Sequence, residues 1–229
     1  LMTSLQQNIV GHLRIACSTT AGKYILPQLA ARFCQRFPGI NVSILACRPL
    51  NVIPQLLEGE ANLAVVSSYD LCGNGFECQE FFKDGITLIV PARHPWAMRS
   101  AVDPADLLDE PLLMREPTSG TRRRILTELA KHDIGLDDLD IFLELGNAEA
   151  IVRTVEAGYG VSFISTLAAE WALNLGRVVS VPVVDFDLQR TIFMVRRELD
   201  TPNRAQEVFW NFVHAPSNAD LLRLAGQEA

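Results

Sequence analysis

Histidine is scarce in this chain, with four in 229 residues: His12, His94, His132 and His214. None stands beside a Ser or Cys in a recognisable nucleophile motif, so catalysis has no sequence warrant and no catalytic residue is assigned. Phosphate loops of the GxGxxG and GxxxxGK[ST] kinds are missing, which removes the usual warrant for nucleotide binding. The five cysteines, Cys17, Cys34, Cys47, Cys72 and Cys78, form no CxxC pair and no Cys/His cluster with zinc spacing. No metal and no other cofactor is therefore expected. Positive charge is short as well: 20 Lys and Arg stand against 27 Asp and Glu, a net charge of −7. A chain of that sign does not hold a polyanion by itself, because neutralising phosphates needs clustered cations. No uninterrupted apolar run is long enough for a bilayer, so no membrane is expected as a partner. The start, LMTSLQQNIV, is not a basic targeting segment and reads as the end of a linker. With the odd cysteine count, this points to a reducing cytoplasm. Cys72 and Cys78 flank a Gly-Asn-Gly turn in LCGNGFEC, where a redox pair is one reading and unpaired loop cysteines the preferred one.

What the sequence does contain is a normal supply of core. Hydrophobic residues make up 48% and charged residues 21%, the mixture of an ordinary globular chain large enough for one domain or two. Strand-like and helix-like periods alternate. HLRIACS reads as a strand, YILPQLAARFCQRF as a helix stopped by Pro38-Gly39, NVSILAC as a strand, VIPQLLEGE as a helix ending at Gly59, and NLAVVSS as a strand. The pattern resumes with ITLIVPA and PLLMRE as strands around a looser proline-containing segment. A helix from TSGTRRR to Gly135, the strand IFLELG, and a helix capped by Asn147 and ended at Gly158 follow. GVSFIST, RVVSVPV and QRTIFMVRR add strands, and Thr201-Pro202 opens a last helix. Strand–helix–strand repetition of this kind predicts an α/β fold with helices packed on parallel sheets. The strand and helix after 188 exceed the needs of the second unit, so the chain is expected to cross back and complete the first. Two crossovers, near FFKDGITLI and VVDFDLQRT, would then form a hinge beside a ligand cleft.

Two stretches carry the chemistry. CSTTAGK and PTSGTR each lie between a strand and a helix and offer hydroxyls, a glycine and the free N–H groups of a first helical turn. Either could be a plain cap, since Ser and Thr cap helices everywhere. Their equivalent places in two units favour a seat for a carboxylate, sulfate or phosphate. Ser67 ends the third strand and could line the same cleft, as could Ser68. Asn147 and Glu149 open a helix, where capping is the simpler role. Arg122, Arg123 and Arg124 point in different directions around one turn, so at most two can face a ligand.

GHLRIACSTTAGKYILPQLAARFCQRFPGINVSI, LLEGEANLAVV, REPTSGTRRRI and ELGNAEAIVRTVEAGYGVSFIS resemble, in this order, the effector-binding domain of LysR-type transcriptional regulators. The resemblance runs from Gly11 to about His214. It implies two Rossmann-like subdomains joined by two crossovers, akin to type 2 periplasmic binding proteins. Residues 11–88 and 189–215 would form the first, 89–188 the second, 1–10 the end of a linker helix and 216–229 a C-terminal tail. It implies further that an effector binds between the subdomains, at Ser18, Thr19 and Thr20 and at Ser119, Gly120 and Thr121; the residue reading adds Ser67, Arg122 and Asn147 as candidates and makes the expected effector a small anion. The expected partners are that effector and a second copy of the chain, with a tetramer open for a full-length protein. DNA would be reached only through an N-terminal winged helix-turn-helix, and REPxSGTR resembles members that sense small inorganic or carboxylate anions. One departure stands out: Arg48-Pro49-Leu50-Asn51 replaces the small Gly-Asn or Gly-Thr turn of many members. A solute-binding protein of a transporter shares the expected fold and is the second reading.

Overall fold

The computed structural model describes residues 9–67, 72–73, 75–198 and 203–224. Contacts divide the chain into two compact units, Leu1–Lys83 with Thr191–Gly226 and Asp84–Arg190 with Gln227–Ala229.

In the first unit, β1 (Gly11–Cys17) is central and buries Leu13, Ile15, Ala16 and Cys17 completely. It pairs in parallel with β2 (Ile40–Ala46), Gly11 opposite Ile40, and with β3 (Leu63–Val66), Ile15 opposite Leu63. The crossovers are α1 (Thr20–Arg36) and α2 (Val52–Leu57). Helix α1 stops where Phe37 N–H closes a last bond to Phe33 O at 2.8 Å and Pro38 can offer no further donor. After α2 the chain turns at Gly59, whose φ of +74° explains the glycine. Strand β9 (Gln189–Arg197) then adds antiparallel to β3, Leu63 opposite Arg196. Helix α6 (Arg204–Phe212) packs on α1 through edge-on aromatic contacts. Phe33 lies 4.9 Å from Phe209 and 5.3 Å from Phe212 between ring centres.

The second unit is built on the end of β4 (Phe76–Pro91), which pairs antiparallel with β7 (Ser162–Ser165) and β8 (Val178–Val181). Beside them β5 (Leu112–Arg115) and β6 (Ile141–Leu145) pair in parallel, and Leu112 bridges to Val161. Helices α3 (Gly120–Ala130), α4 (Ala148–Glu156) and α5 (Thr166–Asn174) cover the core of Leu88, Val90, Met114, Ile125, Leu129 and Phe163.

Four sequence expectations change. Strand β4 spans 16 residues, so the strand expected at ITLIVPA already begins at Phe76; Phe81 and Phe82 are both buried. Helix α3 ends at Ala130, because Asp133 takes φ 59°, and Gly135 instead precedes a short 3-10 turn at Leu136–Asp138. Thr201-Pro202 and Ser68 lie outside the described residues, and α6 is capped by Asn203, whose Oδ1 accepts from Ala205 and Gln206 N–H. The stretch read as a tail forms α7 (Ala219–Leu224), held to α1 by the Arg32–Asp220 ion pair at 2.6 Å. Among the described residues no helix is long and apolar enough to cross a membrane.

Candidate functional site

The carboxyl ends of β1, β2 and β3 converge in the first unit. Ser18 N–H and Oγ both donate to Val65 O, at 3.1 and 3.3 Å, and Cys47 N–H donates to Cys17 O. Ser18 is therefore fixed to β3, whose Val65 lies 47 residues away in sequence, and Ser67 follows directly after that strand. Thr19 is the N-cap of α1: its Oγ1 accepts from Gly22 N–H at 3.1 Å. Thr20 opens the helix and is buried. Gly22 is required by packing. A Cβ there would stand 2.9 Å from both Cys17 Sγ and Val65 Cγ1, so only glycine lets the first turn seat on the strand ends. Beneath it the Cys17 thiol is buried, and burial pushes its pKa up to about 11.

The second unit repeats the arrangement at the end of β5. Ser119 is the N-cap of α3, its Oγ accepting from Thr121 N–H at 3.2 Å, and Thr121 is almost fully buried. Gly120 is the first helical residue. Neither α1 nor α3 has an acid in its first turn, whereas α4 and α6 carry Glu149 and Glu207 there. The positive ends of the two hydroxyl-capped helices are thus left without a carboxylate of their own helix.

The three arginines separate as one turn of helix demands. Arg122 points inward, donating to Arg115 O at 2.9 Å and to Glu144 on β6. Arg124 pairs with Asp187 and with the buried Glu128, and Arg123 is exposed. Arg115 donates to both carboxylate oxygens of Glu116, at 2.8 and 2.9 Å. Asn147 is exposed and caps α4, its Oδ1 accepting from Ala150 N–H at 2.9 Å.

Two features escaped the sequence reading. Asp84, fully buried, accepts from Ser165 Oγ at 2.7 Å and pairs with Arg190 at 2.7 Å. Burial pushes its carboxyl pKa up, against the pull of Arg190 and Ser165. Cys72 and Cys78, read as unpaired loop cysteines, are joined in a disulfide. The turn between them brings the two Cα atoms to 5.5 Å, within the reach such a bond needs.

Residues 6–216 match the family described as the LysR substrate binding domain. The chain is 32% identical to an uncharacterized HTH-type transcriptional regulator of Methanocaldococcus jannaschii, over 93% of this chain and 71% of that protein. A probable RuBisCO transcriptional regulator of Phaeodactylum tricornutum is 28% identical over 88% of this chain and 66% of its own length. The chain thus spans about two thirds of these relatives. Among solved structures, the regulatory domain of CcmR from Synechocystis PCC6803 in complex with 2-PG superposes with a TM-score of 0.79 and 26% identity. That match covers 89% of this chain and 95% of that one. The fold is accordingly α/β and type 2 periplasmic-binding-protein-like, and the regulator reading stands rather than the transporter one. The chain belongs to the LysR substrate binding domains, the effector-sensing domains of LysR-type transcriptional regulators.

Proposed function

We propose that this domain senses a small anionic metabolite through two helix N-termini, Ser18, Thr19 and Thr20 with Ser67 in one unit and Ser119, Gly120 and Thr121 in the other. The observation that carries the reading is the pair of hydroxyl-capped helices, both lacking a first-turn acid and both seated on strand ends. Such N-termini hold an anion on N–H donors and dipole without a full positive charge. Arg122 contributes by position: clamped by Glu144 and the Arg115 carbonyl, it fixes the turn that presents Ser119 to Thr121. Asn147 serves the same unit by setting the start of α4. The 2-PG carried by CcmR makes a phosphorylated or carboxylated small molecule the first class to try.

The domain works by binding rather than by catalysis, in the cytoplasm, and its ligand state governs a DNA-reading helix-turn-helix that the HTH-type relatives carry in the rest of their length. It pairs as a homodimer, with a tetramer formed by the longer protein. Strand β2 closes one end of its strand order and β6 is half of a two-stranded sheet, so both offer edges that self-pairing would cover. A thermal-shift series with 2-PG, sulfate, phosphate and small dicarboxylates tests the reading. A ligand at a hundred times its Kd stabilises the native state by about 2.7 kcal/mol, which moves Tm by several degrees. If no member of the series moves Tm at millimolar concentration, the anion reading fails.

A further inference from the structure

A cavity of about 420 Å³ lies in the first unit at the amino ends of β1 and β3, where Val10 precedes one strand and Asn62 the other. Ser18 stands at the opposite end of β1, seven strand residues or roughly 20 Å away. The cavity is therefore separate from the hydroxyl-capped end of the same sheet. Its size suits a small molecule.

Its wall is positive. Arg197, the last residue of β9, and Arg204, the first of α6, both line it, and no Asp or Glu does. Both arginines are exposed, and among the described residues neither forms an ion pair. Arg197 makes one long contact, from Nη1 to Leu57 O at 3.4 Å. Its neighbour Arg196, by contrast, is paired with Glu77 at 2.7 Å. A third guanidinium stands close: Arg14 donates from Nη2 to the carbonyl of Gly59 at 2.8 Å, and Gly59 lines the cavity as well. In a chain of net charge −7, cations gathered at one hollow without a counter-charge focus a field that draws an anion.

The remaining polar wall is set up to donate. Asn62 Oδ1 accepts from Arg14 N–H at 2.8 Å, and Asn203 Oδ1 accepts from Ala205 and Gln206 N–H. These bonds tie down the carbonyl ends of both amides and leave their Nδ2 groups for a ligand. Gln206 holds the wall together, its Nε2 donating to Asn62 O at 2.8 Å. The helix end itself is already occupied, capped by Asn203 and followed by Glu207 in its first turn, so the site rests on side chains.

We propose that this cavity is a second anion site, in which Arg197 and Arg204 hold a small phosphate- or carboxylate-bearing dianion and the Nδ2 groups of Asn62 and Asn203 orient it. Guanidinium forks match the paired oxygens of such groups. The site lies within one unit and does not rest on the anion reading of the hydroxyl-capped helices.

The test titrates the whole chain with inorganic phosphate and with succinate at neutral pH and constant ionic strength, with sodium chloride alone as the control. Two-dimensional proton–nitrogen spectra follow the arginine Nε–Hε signals and the backbone amides. The signals of Arg197 and Arg204 should move together along one saturable curve with at least one of the two probes, and chloride should leave them in place. Arg197→Gln and Arg204→Gln should each weaken that binding about tenfold, the loss of one charge-assisted contact. Both variants should keep the parent's Tm, because the two side chains are exposed. Shifts that never saturate with either probe, that chloride reproduces, or that survive either substitution overturn the proposal. The amides of Thr20 and Thr121 report on the hydroxyl-capped helices in the same spectra, so either site can fail while the other stands.

Discussion

Asp84 in β4 and Arg190 in β9 meet at 2.7 Å, 106 residues apart in sequence, with their side chains 0% and 8% exposed. Asp84 is the first residue that β4 contributes to the second unit and Arg190 the last that β9 contributes, since Lys83 and Thr191 belong to the first. A buried pair of this kind is poor evidence of net stability, but removing one partner leaves a charge with neither water nor counter-ion.

Arg190→Met should therefore lower the unfolding free energy by about 3–5 kcal/mol. The double variant Asp84→Leu with Arg190→Met should recover most of that loss. Denaturant unfolding of the three proteins decides it, and equal losses in single and double variants would contradict a charge-pairing role.

Gly22→Ala tests the close seating of α1. With Cys17 Sγ and Val65 Cγ1 each 2.9 Å from the added carbon, the helix start must shift, at a cost of about 1–3 kcal/mol. Gly146, which has nothing within 4 Å of such a carbon, is the control. Gly22→Ala should also weaken anion binding, because the first-turn donors move with the helix.

Cys17 gives a pH dependence. Its folded pKa, about 11, lies above the ordinary thiol value of 9.0, so the folded state holds the proton longer than the unfolded one. The stability this confers is complete below pH 9 and is lost as pH rises toward 11. Over that window the loss amounts to about 2–3 kcal/mol at two pKa units. Alkaline denaturation curves should show it, and Cys17 should resist alkylation at pH 8 in native protein. Rapid labelling there would contradict the burial.

The proposed homodimer can be tested at β6, where Phe142 and Leu143 are 56% and 39% exposed. Phe142→Asp should shift a sedimenting dimer to monomer at micromolar concentration without lowering Tm. A parent chain that sediments only as monomer would remove the dimer from the account.

The parts legible in the sequence were those set within a few residues. Thr19, Ser119 and Asn147 each cap a helix two or three positions on, Phe37 before Pro38-Gly39 closes the last bond of α1, and Gly59 turns the chain through its own φ. Long-range pairs left no such mark. Nothing in the chain text links Arg122 to Glu144 or Asp84 to Arg190, because those partners are chosen by which strands lie side by side. The first half of β4 hid for a similar reason: FECQEFFKDG is only partly apolar, and its strand form depends on neighbours. Cys72 and Cys78 were close enough in sequence to be noticed, but pairing depends on the turn geometry, which spacing alone does not give.

The central claim is that the hydroxyls of CSTTAGK and PTSGTR hold the effector and are not caps alone. The fold assigns capping to Thr19 and Ser119, which makes Thr20 and Thr121 the informative positions. The measurement is calorimetric titration of the parent, Thr20→Ala and Thr121→Ala with whichever anion of the series stabilises the parent, 2-PG first. Each variant should remain folded and bind about tenfold more weakly, the effect of one lost hydrogen bond to a charged acceptor. If both variants bind that anion as tightly as the parent does, the site lies elsewhere and the two stretches are caps.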